Sequence, residues 1–225
     1  MHLKQKVQPD LVSQHYHKIN DCAIINLHAN MFDIINTMAC LQMTLIKTVS
    51  NPQANTDLII VMGVSGSGKS TLAKALANSY HYQYLDGDDF HSAESRALMA
   101  QGIPLTDEHR APWVASIKER LQNNSLQHTH TILAFSGLKK KHRDILRSAG
   151  LRTLVLYLNG NKETIQDRIN SRKDHFMAPT LLDSQFAAME DPLNEADVHP
   201  VEIWHPLDQV TQAACALINK HLPRP

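Results

Sequence analysis

The 225-residue chain predicts an α/β fold: a doubly wound, five-stranded parallel sheet with helices on both faces. Two observations carry this expectation. From Thr56 onward, short apolar runs alternate with stretches of helical period. In addition, Gly63-Val64-Ser65-Gly66-Ser67-Gly68-Lys69-Ser70 fits the spacing G-x-x-x-x-G-K-[ST] and lies between the apolar run 58–62 and a helical pattern. That placement points to the P-loop NTPase type of sheet.

The elements follow in order. Residues 58–62 are continuously apolar, as a strand buried on both faces should be. Leu72, Ala73, Leu76, Ala77 and Tyr80 give the next helix its core stripe. A second strand covers 82–85 and ends at Asp86. Residues 92–101 and 113–121 read as helices, the latter with Pro112 in its first turn. Strands are expected at 131–135 and 153–158. A helix over 162–172 carries Ile165 and Ile169 on one face, and another over 181–189 turns Leu182, Phe186 and Met189 inward. Residues 201–204 form the fifth strand, and Pro206 opens a last helix that buries Leu207, Val210, Ala214, Leu217 and Ile218.

Residues 56–225 thus form one domain. Residues 1–55 differ: polar residues interrupt Ile24, Ile25, Leu27, Met31, Ile34, Ile35, Met38 and Leu41, a loose amphipathic helix over 22–47. Residues 50–55, Ser-Asn-Pro-Gln-Ala-Asn, read as a linker, so 1–55 is expected to be a peripheral extension.

Composition narrows the function. With 22 basic and 22 acidic residues, the chain has no electrostatic footprint for nucleic acid or an anionic membrane. No apolar stretch approaches the roughly 20 residues that span a bilayer, and no secretory leader pattern opens the chain. Three cysteines without a C-x-x-C pair fit a reducing cytoplasm. Of fourteen histidines, His128 and His130 share one side of a strand start but lack a third ligand, and they read as solvated loop residues.

The chemistry centres on the glycine-rich loop. Gly63, Val64, Ser65, Gly66, Ser67, Gly68, Lys69, Ser70 and Thr71 would hold the phosphates of a nucleoside triphosphate on backbone N–H groups and a helix N-terminus. Lys69 would reach the β- and γ-phosphates, and Ser70 would give its hydroxyl to Mg²⁺. The third strand ends Ala134-Phe135-Ser136 with no terminal Asp, so Asp86 is the candidate for the metal's carboxylate. Asp86-Gly87-Asp88-Asp89 closes the second strand, where a carboxylate can orient a substrate hydroxyl; an Asp/Gly turn is the alternative. Arg168 and Arg172 share a helical face and could clamp a polyphosphate, or be surface charges. The run Lys139-Lys140-Lys141-His142-Arg143, taken alone, reads as a solvated helix face.

These motifs together resemble the gluconokinase family, small P-loop sugar-acid kinases akin to shikimate and nucleoside monophosphate kinases. The resemblance spans about 58–222. Beyond the loop, it rests on Leu85-Asp86-Gly87-Asp88 with His91, Gly102-Ile103-Pro104-Leu105-Thr106-Asp107 with Arg110, Pro112 and Trp113, and Ser136, Leu138-Lys139-Lys140 and Arg143-Asp144. It continues through His175-Phe176-Met177, Leu181-Leu182, Ser184-Gln185-Phe186, Glu190 and Pro192. The resemblance implies transfer of the ATP γ-phosphoryl to the 6-hydroxyl of D-gluconate under a small lid. It implies that Asp88 positions the hydroxyl and takes its proton. Lys69 and Arg172 would be the other catalytic residues, and His91, Arg110, Lys139, Arg143 and His175 would bind the acceptor. A dimer is common in the family.

Ser92, Ser95, Leu98, His109, His142 and Phe135 depart from the family pattern and bear on acceptor contacts. Two rivals stand beside this reading. One is a kinase for shikimate or a nucleotide, against which the 102–113 segment argues. The other is a GTP-binding switch, for which Asn161-Lys162-Glu163-Thr164 lacks the final carboxylate.

Overall fold

The computed structural model describes residues 56–170 and 179–223. Its strands are β1 (Asp57–Met62), β2 (Gln83–Asp86), β3 (Thr131–Phe135), β4 (Arg152–Asn159) and β5 (Val198–Glu202). Its helices are α1 (Lys69–Tyr80), α2 (Ala93–Ala100), α3 (Asp107–Leu126), α4 (Lys140–Arg147), α5 (Lys162–Asn170), α6 (Pro179–Ala188) and α7 (Leu207–His221). The five strands form one all-parallel sheet in the order β2-β3-β1-β4-β5.

Every residue of β1 is buried, because both faces of this central strand are covered. Ile59 and Val61 pack with Leu72 and Leu76 of α1 and with Ala214 and Ile218 of α7. Leu58, Ile60 and Met62 pack on the other face with Val114, Ile117 and Leu121 of α3 and Leu146 of α4. Each such side chain contributes roughly 1.5–3 kcal/mol of burial. The chain steps from β1 past the β3 position to β2, returns to β3, and then crosses to β4 on the other side of β1. Strand order therefore reverses at β1, and the crevice beyond the carboxyl ends of β1 and β3 is where such a sheet takes its ligands.

Five elements differ from the sequence expectation, the last helix among them: Leu207, expected to be buried at its start, is exposed, whereas Val210, Ala214 and Ile218 are buried as expected. Helix α3 starts at Asp107, well before residue 113, and Pro112 lies inside it. Thr106 is its N-cap: Thr106 Oγ1 accepts from the His109 backbone N–H at 3.4 Å, and His109 Nδ1 accepts from the Thr106 N–H at 3.3 Å. The cap decides the start; Pro112, the sixth residue of the helix, forgoes the backbone hydrogen bond to Glu108 without ending it. Strand β5 runs Val198–Glu202 rather than 201–204 and includes Pro200. Among the described residues it pairs only with β4, and an edge strand has room for a residue without an N–H. The basic run after β3 forms α4, which buries His142, Arg143 and Leu146 instead of presenting a wholly solvated face. Helix α6 begins at Pro179, two residues before the expected 181. The expected helix over 22–47 and the linker over 50–55 lie outside the described residues. No described helix is long and apolar enough to cross a membrane.

Candidate active site

The phosphate loop leaves the end of β1 and turns into α1 through glycines with positive φ. Gly68 caps α1 at φ 101°, and Gly66 sits at φ 81°. A Cβ on Gly66 would lie 2.5 Å from Ile169 Cγ1, so α5 fits against the loop only because this residue is glycine. Lys69 Nζ donates to the Val64 carbonyl at 3.0 Å, folding back along the loop. Ser70 Oγ donates to Asp86 Oδ2 at 2.9 Å. The same carboxylate accepts from the Tyr84 hydroxyl at 2.5 Å and, through Oδ1, from the Asp88 N–H at 3.1 Å. Burial first, then this bond to Asp86, pushes the Tyr84 hydroxyl pKa well above its ordinary value. A hydroxyl and a carboxylate already within hydrogen-bond distance are the hard oxygen donors that Mg²⁺ takes.

A cavity of about 310 Å³ opens beside the loop. Ser65 and Lys69 form its phosphate wall, and Asp88, His91, Arg110 and Trp113 line the opposite side. Asp88 is exposed, on the short 3₁₀ turn Gly87–Phe90 after β2. His91 Nε2 lies 3.9 Å from Asp88 Oδ1. The His91 ring is buried and stacks on Trp113 with centroids 4.2 Å apart, and its Nδ1 has no partner among the described residues. Burial lowers the His91 pKa, so the ring is neutral at pH 7. Trp113 is fixed in turn by a 2.6 Å bond from Nε1 to the Gly87 carbonyl. A smaller cavity of about 190 Å³ lies on the other side of the loop, lined by Gly68, Thr71, Arg168, Ile203, His205 and Leu207 among others. Arg168 donates to the carbonyls of Ser67, at 3.3 Å, and Ile203, which ties α5 to the loop and to the end of β5.

The remaining expected residues distribute unevenly. Arg143 does not line the cavity. It is 1% exposed and spends its guanidinium on Glu195, on the Gly137 carbonyl at 2.5 Å and on the Glu190 carbonyl at 3.3 Å. Four of its five N–H donors go to these groups, away from the cavity lining, which favours a structural role over the expected acceptor contact. Lys139 also lies off the cavity, with Nζ 3.0 Å from Asp107. Lys141 joins the same carboxylate at 2.6 Å, and these two hydrogen bonds hold Asp107 at a pKa of about 2. Arg172 and His175 lie outside the described residues.

The departures from the family pattern also find places. Ser95 is buried on the Ser92 cap of α2, His109 completes the cap of α3, and Leu98 does not line the cavity, whereas the neighbouring Met99 does. Gln185 and Ser184 line the cavity from α6, and no role was expected of them. Their only sequence signal was the Ser184-Gln185-Phe186 segment of the resemblance. Asn161 is a helix cap and not a guanine reader: its Oδ1 accepts from the Thr164 N–H at 2.8 Å, and Lys162 pairs with Asp183 at 2.6 Å. His130 stacks on Tyr82 and sits 3.3 Å from Asp57.

A phosphate loop at the switch point of a parallel sheet, opening onto a second cavity with a carboxylate, defines a P-loop phosphotransferase of the small-kinase class. Comparison with known proteins agrees. A family model described as an AAA domain matches residues 58–195. A probable gluconokinase of Mus musculus is 38% identical over 69% of this chain and 94% of the mouse protein. The thermosensitive gluconokinase of Escherichia coli strain K12 is 40% identical over 68% of this chain and 82% of its own length. Among solved structures, a gluconokinase from Sinorhizobium meliloti 1021 superposes with a TM-score of 0.68 at 35% identity, covering 74% of this chain and 94% of that one. The chain belongs to the gluconokinase family.

Proposed function

We propose that the chain transfers the γ-phosphoryl group of ATP to the 6-hydroxyl of D-gluconate, giving 6-phospho-D-gluconate and ADP. One observation carries this reading beyond the family: the cavity that holds Asp88, His91 and Arg110 shares its wall with Ser65 and Lys69 of the phosphate loop. An acceptor bound there places a hydroxyl beside the end of the triphosphate, so positioning supplies a large part of the catalysis.

The residues divide the work. Backbone N–H groups of 63–71 and the N-terminus of α1 hold the phosphates. Lys69 leaves the Val64 carbonyl to meet the charge that develops on the transferring group. Asp88 accepts the proton of the attacking hydroxyl. Neutral His91 and charged Arg110 bind the polyol and carboxylate of the acceptor, and Trp113 walls the cavity. Arg168 guards the base side of the nucleotide with Ile203 and His205. Arg172 and His175 complete the proposal as lid residues. Ser70 and Asp86 would hold Mg²⁺, which when bound neutralises phosphate charge. A cytoplasmic location and a homodimer belong to the same proposal, on the family resemblance.

The test is a coupled ADP-release assay over sugar acids, shikimate and nucleoside monophosphates. Gluconate should be turned over and the other classes left inert. Preferential turnover of shikimate or a nucleotide overturns the acceptor assignment.

A further inference from the structure

Gln185 occupies a position that the proposed chemistry leaves unused. It lies on α6, more than a hundred residues from the phosphate loop in sequence, yet its Oε1 accepts from the Ser65 backbone N–H at 2.6 Å. Ser65 belongs to the wall that faces the acceptor cavity, and Gln185 lines that cavity beside Asp88 and Ser184. Because Oε1 is committed to Ser65, the planar amide turns Nε2 away from the loop. Nε2 makes no hydrogen bond among the described residues. Two N–H donors thus stand at the boundary between the phosphate loop and the acceptor space. Asp88 lines the same cavity, and its carboxylate, when ionised, only accepts hydrogen bonds. A hydroxyl placed between the two would give its proton toward Asp88 and receive a hydrogen bond on its oxygen from Nε2.

We infer that Gln185 is an acceptor-specificity residue. Anchored by Oε1 to Ser65, it donates from Nε2 to the oxygen of the attacking hydroxyl and aligns that hydroxyl with the phosphate loop. This role rests on the gluconokinase reading. It also ties α6 to acceptor binding. The helix after the 171–178 segment brings an acceptor contact to the nucleotide loop, so the phosphate loop and the acceptor cavity share one side chain. Water, held by no second contact in the cavity, gains less from this donor than a polyol fixed at its other end by Arg110.

Two variants of the full chain separate the donor from the anchor. Gln185→Glu keeps an oxygen for the Ser65 N–H and removes the Nε2 donor. Gln185→Met keeps length and removes both. A lost neutral hydrogen bond changes affinity about three- to tenfold. Both variants should raise the KM for gluconate by at least that factor and lower kcat. Gln185→Met should leave the KM for ATP and the melting temperature near those of the parent chain. A Gln185→Glu variant with the parent KM for gluconate overturns the inference, since the anchor alone would then suffice. So does a Gln185→Met variant whose only change is in the KM for ATP or in melting temperature. A parent chain that releases no ADP with gluconate overturns the underlying reading, and the inference with it, an outcome separable from the other two.

Discussion

The two walls of the active-site cavity are built in opposite ways. The phosphate wall is a run of consecutive residues, 63–71, whose shape is set by its own glycines and by the helix that it opens. The acceptor wall draws on the turn after β2, the end of α2, the loop and first turns of α3, the residues after β3, and α6. A phosphate needs a nest of N–H groups, which a short stretch of backbone can supply alone. A sugar acid presents hydroxyls and a carboxylate along its length, and its contacts must converge from several directions. The nucleotide wall therefore tolerates little change within one segment, whereas the acceptor wall depends on the packing that brings distant segments together.

Asp88→Asn tests the acceptor side most severely. The amide cannot take the hydroxyl proton, and kcat should fall about 10²–10⁴-fold while ATP binding is largely retained. A collapse of ATP affinity with kcat held would move Asp88 to the metal side of the comparison.

The packing beneath the acceptor wall is probed by Glu195→Gln. Arg143 and Glu195 are 1% and 10% exposed in their side chains, and the charge on Arg143 would be left without its carboxylate. Breaking such a buried pair costs about 3–5 kcal/mol, read as a lower melting temperature and denaturation midpoint. Unchanged stability with a raised gluconate KM would return Arg143 to the substrate.

On the nucleotide side, Lys69→Ala should reduce kcat by about 10²-fold or more, by removing a cation at the developing phosphate charge. Its melting temperature should stay close to that of the parent, because Lys69 is half-buried and its bond to the Val64 carbonyl stays within its own loop. Near-normal turnover would contradict its assigned place.

The smallest effect is one of pH. Burial lowers the pKa of His91, His142 and His199 in the fold. Between about pH 6.5, where an unfolded histidine titrates, and the lowered folded values, the unfolded chain binds more protons than the folded one. Stability is thus fully present above pH 6.5 and falls as the pH drops, with a slope of at most about 1.4 kcal/mol per pH unit for each histidine. Thermal melts from pH 7.5 to 5.5 should show the decline, and His142→Gln should flatten part of it. Melting temperatures independent of pH in that window would show that these rings are not kept neutral by burial.

The sequence by itself determined the fold class and the phosphate loop between its strand and helix. These follow from local spacing: a buried strand is apolar throughout, and a phosphate nest needs its glycines in one stretch. The start of α7 was legible at Pro206. That of α3 was missed: Pro112 was read as the start although Thr106, Asp107 and Glu108 carry the N-terminal signal. Only the tertiary structure decided which basic residues line the cavity. Arg110 and Arg143 look alike in a string of residues. Yet α3 turns Arg110 toward the cavity, while α4 buries Arg143 against Glu195, a partner fifty-two residues away. The same holds for Gln185, whose contact with Ser65 spans 120 residues. No spacing rule encodes such contacts, because they depend on how β3, α4 and α6 pack around the carboxyl end of the sheet.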